Sequence, residues 1–177
     1  MRMMALAALT AVAMGVAAAS YAQAATITEE EVLAAQRAWA DGIVDIGQAY
    51  KDQDDYRAAA SNHLKELYAY EQGPVLFKPT LAAADQFRET FDQALSYFVG
   101  GSIEEDTGFA KRPWRQVRFG KQHIAINGSS AAAMGNYYFT PIDSEEEIKV
   151  EYTFGYIRDD AGRLRINVHH SSLPFEG

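Results

Sequence analysis

The segment Arg163-Leu164-Arg165-Ile166-Asn167-Val168-His169-His170-Ser171-Ser172-Leu173-Pro174 holds the side chains best suited to chemistry. An alternating strand runs into two histidines and two serines and is stopped by a proline. Imidazoles exchange protons near neutrality, and hydroxyls both donate and accept hydrogen bonds. Such a set could hold a metal, activate a nucleophile, or orient water beside a small ligand. Successive side chains on a strand point to opposite faces. A regular strand therefore places Leu164, Ile166 and Val168 with His170 and Ser172, and puts His169 and Ser171 on the other face. The apolar face is the buried one, so His170 and Ser172 are the predicted inward pair.

Each chemistry can be weighed by spacing. Zinc would require His63, His123 and one of the tail histidines to meet, because His169 and His170 diverge and no H-x-H or H-E-x-x-H pattern is present. His63 is expected on a helix surface, and His123 beside a turn in solvent. A serine nucleophile lacks both a G-x-S-x-G elbow and an acid partner. His170 and Ser172, two apart on one strand face, are better placed to share a water or a small ligand. Gly100-Gly101-Ser102 lacks the lysine and length of a phosphate loop. The acidic runs Glu104-Glu105-Asp106 and Glu145-Glu146-Glu147 read as solvated loops.

These groups must be positioned by a predicted set of helices followed by strands. Thr28 and Glu31 form a capping box that opens a helix of about 24 residues, with Val32, Ala35, Trp39, Ile43, Ile46 and Tyr50 as its apolar stripe. A second helix is expected from Asp55 to Tyr70, ended by Glu71-Gln72-Gly73-Pro74. A third is expected over Ala82 to Leu95. Strands follow at Gln116–Phe119, His123–Asn127, Ala132–Thr140, Glu147–Arg158 and Arg163–Ser172. A turn or bulge is expected near Gly120, and a tight hairpin at Asp159–Gly162. In the fourth of these strands Ile148, Val150, Tyr152, Phe154 and Tyr156 share a face. In the third, either Asn136, Tyr138 and Thr140 or Tyr137 and Phe139 could line a pocket. Helices first and a meander afterwards imply an α+β fold with helices on one face of a curved antiparallel sheet.

Bulk composition sets the outer bounds. Met1-Arg2, the apolar run Ala5–Ala19 and Ala22-Gln23-Ala24 form a signal-peptide pattern, which assigns residues 1–24 to a signal and 25–177 to one mature domain. A periplasmic or secreted location is expected, with no membrane association once the signal is removed. The net charge of −8 argues against nucleic acid, since phosphate binding needs clustered Lys and Arg. The chain contains no cysteine, which excludes disulfides and thiolate zinc sites.

Five segments together resemble the iota-class carbonic anhydrases: Val75–Thr80, Ser96–Gly101, Glu105–Ala110, Ala133–Thr140 and His169–Pro174. The resemblance covers about residues 28–175. It implies the cone-shaped α+β fold of the nuclear transport factor and SnoaL-like superfamily, with about three N-terminal helices packed on a curved sheet. It further implies reversible hydration of CO2 to bicarbonate in a pocket lined by the hydroxyls of Thr80, Tyr97 and Ser172. His170 is carried over as a neighbour able to accept or relay a proton. Read from position alone, Thr80 also fits a helix N-cap and Tyr97 a core tyrosine.

The family is described both as metal-free and as zinc- or manganese-dependent; the histidine spacing favours no metal here. Phe77, Phe98, Trp114 and Phe154 are candidates for an apolar recess for CO2. A homodimer through the exposed sheet face is expected from superfamily habit. The competing reading is a non-enzymatic small-ligand or self-association module of the same fold. An isomerase or hydrolase would need an acid–histidine pair that Asp85 and His63 do not convincingly supply.

Overall fold

The computed structural model describes residues 25–177; the predicted signal segment, residues 1–24, lies outside the described residues. Helix α1 spans Glu29–Lys51 and opens with the expected capping box between Thr28 and Glu31. Its buried side carries Val32, Gln36, Trp39, Ala40, Ile43, Ile46 and Gly47. Helix α2 spans Tyr56–Leu67, capped by the Asp55 carboxylate on the Ala58 N–H. Strand β1 is Leu76–Lys78, and helix α3 is Phe91–Val99. A single 3-10 turn at Phe109–Lys111 precedes strands β2 (Trp114–Asn127), β3 (Ser130–Pro141), β4 (Ile148–Arg158) and β5 (Leu164–Ser172).

The sheet order is β1-β5-β4-β3-β2. Strands β2 to β5 form the expected antiparallel meander, whereas β1 joins β5 in parallel at the edge. The parallel edge follows from chain direction: α2 and its short connection return the chain to start β1 beside β5. The two short strands expected before Asn127 are one long strand. It slips register between Phe119 and Gln122, where the bulge near Gly120 was expected. Bulges bend and twist a strand, which suits a curved sheet.

The third helix begins at Phe91 rather than Ala82. Thr90, not Thr80, is its N-cap, with Gln93 closing a second capping box. Residues 79–90, between β1 and α3, instead form a strap pinned by acids that were expected to be solvated. Both Glu105 carboxylate oxygens accept backbone N–H groups, from Ala83, Ala84 and Asp85, each at 2.9 Å. The fully buried Arg88 guanidinium meets the Asp106 carboxylate at 2.6 Å. A buried ion pair of this kind holds geometry because neither charge can be left alone without a large cost.

The last strand carries the decisive irregularity. Gly155 pairs with Val168, but the next residue, Tyr156, pairs with Ile166, leaving Asn167 as an extra residue on β5. One inserted residue inverts the facing of everything after it. A Cβ at position 155 would lie 2.8 Å from a Val168 methyl and 2.9 Å from the Asn167 side-chain oxygen, so this close approach requires glycine. Upstream of the bulge the buried Arg165 guanidinium donates to the Lys65 carbonyl at 2.8 Å, to the Glu66 carbonyl and to Asp159. A cation there complements the negative end of α2.

Candidate active site

A cavity of about 360 Å³ opens between the helices and the inner face of the sheet. β5 contributes His169 and Ser171, β3 contributes Tyr137 and Phe139, and β4 contributes Ile148 and Val150. Thr80 and Leu81 enter from the strap, Tyr97 from α3, Arg112 from the end of the 3-10 turn and Trp114 from the start of β2. Leu81 and Leu173, both exposed, also contribute to its walls.

The bulge at Asn167 corrects the predicted inward pair. His169 and Ser171 are buried and line the chamber, while His170 is exposed and Ser172 donates to Glu151 at 3.2 Å. His170 and Ser172 border a separate, open trough of about 480 Å³ with Lys121, His123 and Glu151. The divergence of the two histidines was correctly expected from alternation; which one turns inward was not. Thr80 and Tyr97 do line the chamber. On β3 the inner set is Tyr137 and Phe139.

The polar groups form two connected chains. In the first, Thr80 Oγ1 donates to Ser171 Oγ at 2.8 Å, and the Tyr137 hydroxyl shares the same lining. Tyr97's oxygen accepts the Leu81 N–H at 3.3 Å, which leaves its own O–H free to donate. Burial pushes the Tyr97 phenol up to about 12, against the pull of that backbone bond, and burial likewise raises Tyr137. Both phenols therefore remain protonated donors at neutral pH.

The second chain runs behind the first. Trp39 Nε1 donates to the Tyr68 hydroxyl at 3.0 Å, and that hydroxyl lies 2.8 Å from His169 Nδ1. Indole N–H is a donor only, so Tyr68's hydrogen is satisfied if it points to His169 Nδ1. The remaining proton of a neutral imidazole then sits on Nε2, facing the Tyr137 hydroxyl 3.5 Å away. Phe77 stacks on the imidazole with centroids 4.6 Å apart, and Phe154 meets it edge-on at 4.4 Å. Burial lowers the pKa of His169 well below the ordinary value, reinforced by His170 and His63, so the ring stays neutral. It is an oriented donor rather than a proton acceptor.

The remaining expectations sort as follows. Trp114 lines the chamber, whereas Phe77 and Phe154 pack behind it on His169 and Phe98 packs on Tyr97. His63 is buried instead of lying on the helix surface: it packs 5.6 Å from Phe98, and burial takes it down to about 3. Gly42 of α1 admits this ring, since a Cβ there would sit 2.1 Å from its Nδ1. His123 is exposed, as expected. Among the described residues no three His, Cys, Asp or Glu side chains are grouped to hold a metal ion. Sequence reasoning missed Trp39 because it read as an ordinary stripe residue, and Tyr68 because nothing local marks it. It missed His169 and Ser171 because only Gly155, on the facing strand, signals the bulge.

A family model described as metal-independent carbonic anhydrase matches residues 30–173. A metal-independent carbonic anhydrase from Nostoc sp. is 44% identical over 155 residues, covering 85% of this chain and 75% of that protein. The crystal structure of an iota-carbonic anhydrase from a cyanobacterium, complexed with bicarbonate, superposes with a TM-score of 0.82 at 42% identity, over 86% of this chain and 95% of that one. An NTF2-like protein of unknown function from Pseudomonas putida shares the fold at a TM-score of 0.56 and 19% identity, over 84% of this chain and 87% of that one.

Proposed function

The chain belongs to the metal-independent carbonic anhydrase family, and from that premise we infer that it catalyses the reversible hydration of CO2 to bicarbonate, without a resident metal, in the chamber described above. The observation that carries this reading is the convergence of four hydroxyls, from Thr80, Ser171, Tyr97 and Tyr137, in a largely apolar cavity. CO2 is uncharged and partitions readily into such a cavity. When water adds to its carbon, negative charge gathers on the oxygens that came from CO2. The protonated phenols of Tyr97 and Tyr137 are donors for that charge, fixed in advance of the reaction. Thr80 and Ser171 orient the attacking water, and its proton leaves to solvent water. The bicarbonate bound by the cyanobacterial relative supports this choice of ligand.

The expected sites at His170 and Ser172 pass in this reading to His169 and Ser171, with Thr80 and Tyr97 retained. Export to the periplasm or beyond rests on the signal pattern of residues 1–24. A homodimer through the sheet's outer face is supported by the open trough there and by Met134, 54% exposed among polar neighbours. Light scattering on the purified protein checks it.

The deciding experiment is a stopped-flow pH-indicator assay of CO2 hydration on chelator-treated protein with its metal content measured. Activity without metal is the expected result. Loss on chelation with recovery on adding zinc would sink the metal-independent mechanism, and no hydration under any condition would leave a binding module of the same fold.

A further inference from the structure

One end of the chamber is set apart by charge. Arg112 is the only formally charged side chain among the sixteen residues that line it. It extends from the end of the 3-10 turn over the Trp114 indole, with the guanidinium carbon 4.8 Å from the ring centroid. Arg88, Arg115, Arg118, Arg158, Arg163 and Arg165 are each paired with a carboxylate. Among the described residues the Arg112 guanidinium has no such ion pair.

Beneath it lies a second unused donor. Trp114 is 8% exposed, and its buried Nε1 has no hydrogen-bond partner. A buried N–H left unpaired is costly, so it marks a place where an acceptor is missing. The lining at this end offers a cation, an indole N–H and apolar walls, and no carboxylate. That combination suits a small anion. Phe139 packs against both this end and the hydroxyl cluster, 5.1 Å from Trp114 and 4.9 Å from Tyr137 by ring centroids. A cavity of about 360 Å³ has room for a second small occupant beside one at the hydroxyls, given that a water takes about 30 Å³.

We propose that Arg112 and Trp114 form an anion subsite within the chamber, taking small planar oxyanions of single charge, with bicarbonate as its natural occupant. Naming bicarbonate rests on the hydratase reading; the anion chemistry does not. The guanidinium presents a planar fork of donors that matches a trigonal oxyanion, and stacking on Trp114 fixes its plane. The site answers a physical need. A chain of net charge −8 repels anions at long range, and an apolar chamber holds them poorly. A local cation offsets both effects, giving bicarbonate a station between the hydroxyls and solvent.

The test uses nitrate, a trigonal anion that cannot undergo the reaction. Its binding is measured by calorimetry at constant ionic strength on the wild type, Arg112→Gln, Trp114→Phe and Arg37→Gln. Arg37 is exposed on α1 and lies outside the chamber lining, so it controls for loss of one positive charge. The expected result is millimolar binding to the wild type and to Arg37→Gln, weakened about tenfold by Arg112→Gln and about threefold by Trp114→Phe. No binding to the wild type, or equal binding to Arg112→Gln and the wild type, overturns the subsite. Should Arg112→Gln not fold, Trp114→Phe decides alone: undiminished nitrate binding refutes the proposal. Inhibition of CO2 hydration by nitrate provides the parallel readout. Arg112-dependent nitrate binding in a protein that hydrates no CO2 defeats the hydratase reading and keeps the subsite. Hydration that proceeds with Arg112-independent nitrate affinity does the reverse.

Discussion

The Tyr68 hydroxyl accepts the Trp39 indole N–H at 3.0 Å and lies 2.8 Å from His169 Nδ1, and donating its own hydrogen to that nitrogen pairs all three side chains. The three side chains come from α1, the end of α2 and β5. They place one proton on a defined nitrogen of a buried imidazole, and that proton faces the chamber hydroxyls.

Tyr68→Phe removes the donor while keeping the ring. The His169 tautomer then becomes free, and the Trp39 N–H loses its acceptor. Hydration activity is expected to fall about tenfold, and stability by about 1–3 kcal/mol from the orphaned polar groups. Nitrogen-detected NMR of His169 distinguishes this from simple loosening: the wild type should show a protonated Nε2 and an unprotonated Nδ1, and the variant a mixture. A mixture already present in the wild type would refute the fixed tautomer.

The bulge at Asn167 makes opposite forecasts for adjacent serines. Ser171→Ala breaks the bond from Thr80 and should lower hydration by about a hundredfold, the scale seen when an oriented polar group is removed from a reaction site. Ser172→Ala removes only a contact to Glu151 on the outer face and should leave the rate within about twofold, since an exposed hydrogen bond of this kind is worth little. Equal losses in the two variants would mean that β5 runs regularly to its end.

The strap that carries Thr80 depends on buried charge. Asp106→Asn leaves the Arg88 guanidinium, which is fully buried, without its close counter-ion. Breaking such a pair typically costs about 3–5 kcal/mol. The urea midpoint should fall accordingly, and activity with it, because Arg88 also lies 5.8 Å over the Tyr97 ring. A variant with wild-type stability would show that Glu105 alone secures the strap.

Stability should decline on mild acidification. His63 and His169 are held neutral by burial, His63 with a value near 3, whereas an unfolded histidine titrates near 6.5. Below about pH 6.5 the unfolded chain takes up protons that the native state refuses, so stability is complete above that pH and lost as pH falls. Each histidine contributes a slope of up to about 1.4 kcal/mol per pH unit. Below about pH 4.5 Glu31, held down to about 2 chiefly by its hydrogen bond with Arg158, adds loss in the same direction. Urea midpoints at pH 7.5, 6.5, 5.5 and 4.5 measure the decline; a flat profile from 7.5 to 5.5 would contradict it.

Local signals in the chain were enough for much of this. Thr28 with Glu31 fixes the start of α1, Asp55 that of α2, and the alternation from Val150 to Tyr156 fixes the inner face of β4. These are interactions between residues a few positions apart, and they form wherever the chain is placed. The resemblance built on short segments, rather than local position, brought Thr80 and Tyr97 to one site.

Facing at the tail was decided only in three dimensions. Alternation carries phase along a strand, but a single extra residue resets it. Whether Asn167 is extra depends on what β4 offers opposite it, a glycine that tolerates the crowding. The acids Glu105 and Asp106 had the same fate: as a run they look solvated, yet the fold sets them against backbone N–H groups and a buried Arg88. Burial, pairing and tautomer are properties of neighbours distant in sequence. The sequence alone thus determined the first two helices and the meander, and its resemblance to a family pointed to a hydroxyl-bearing site. Packing decided that His169 and Ser171, not His170 and Ser172, face into it, because only packing sets which side of a bulge lies inside.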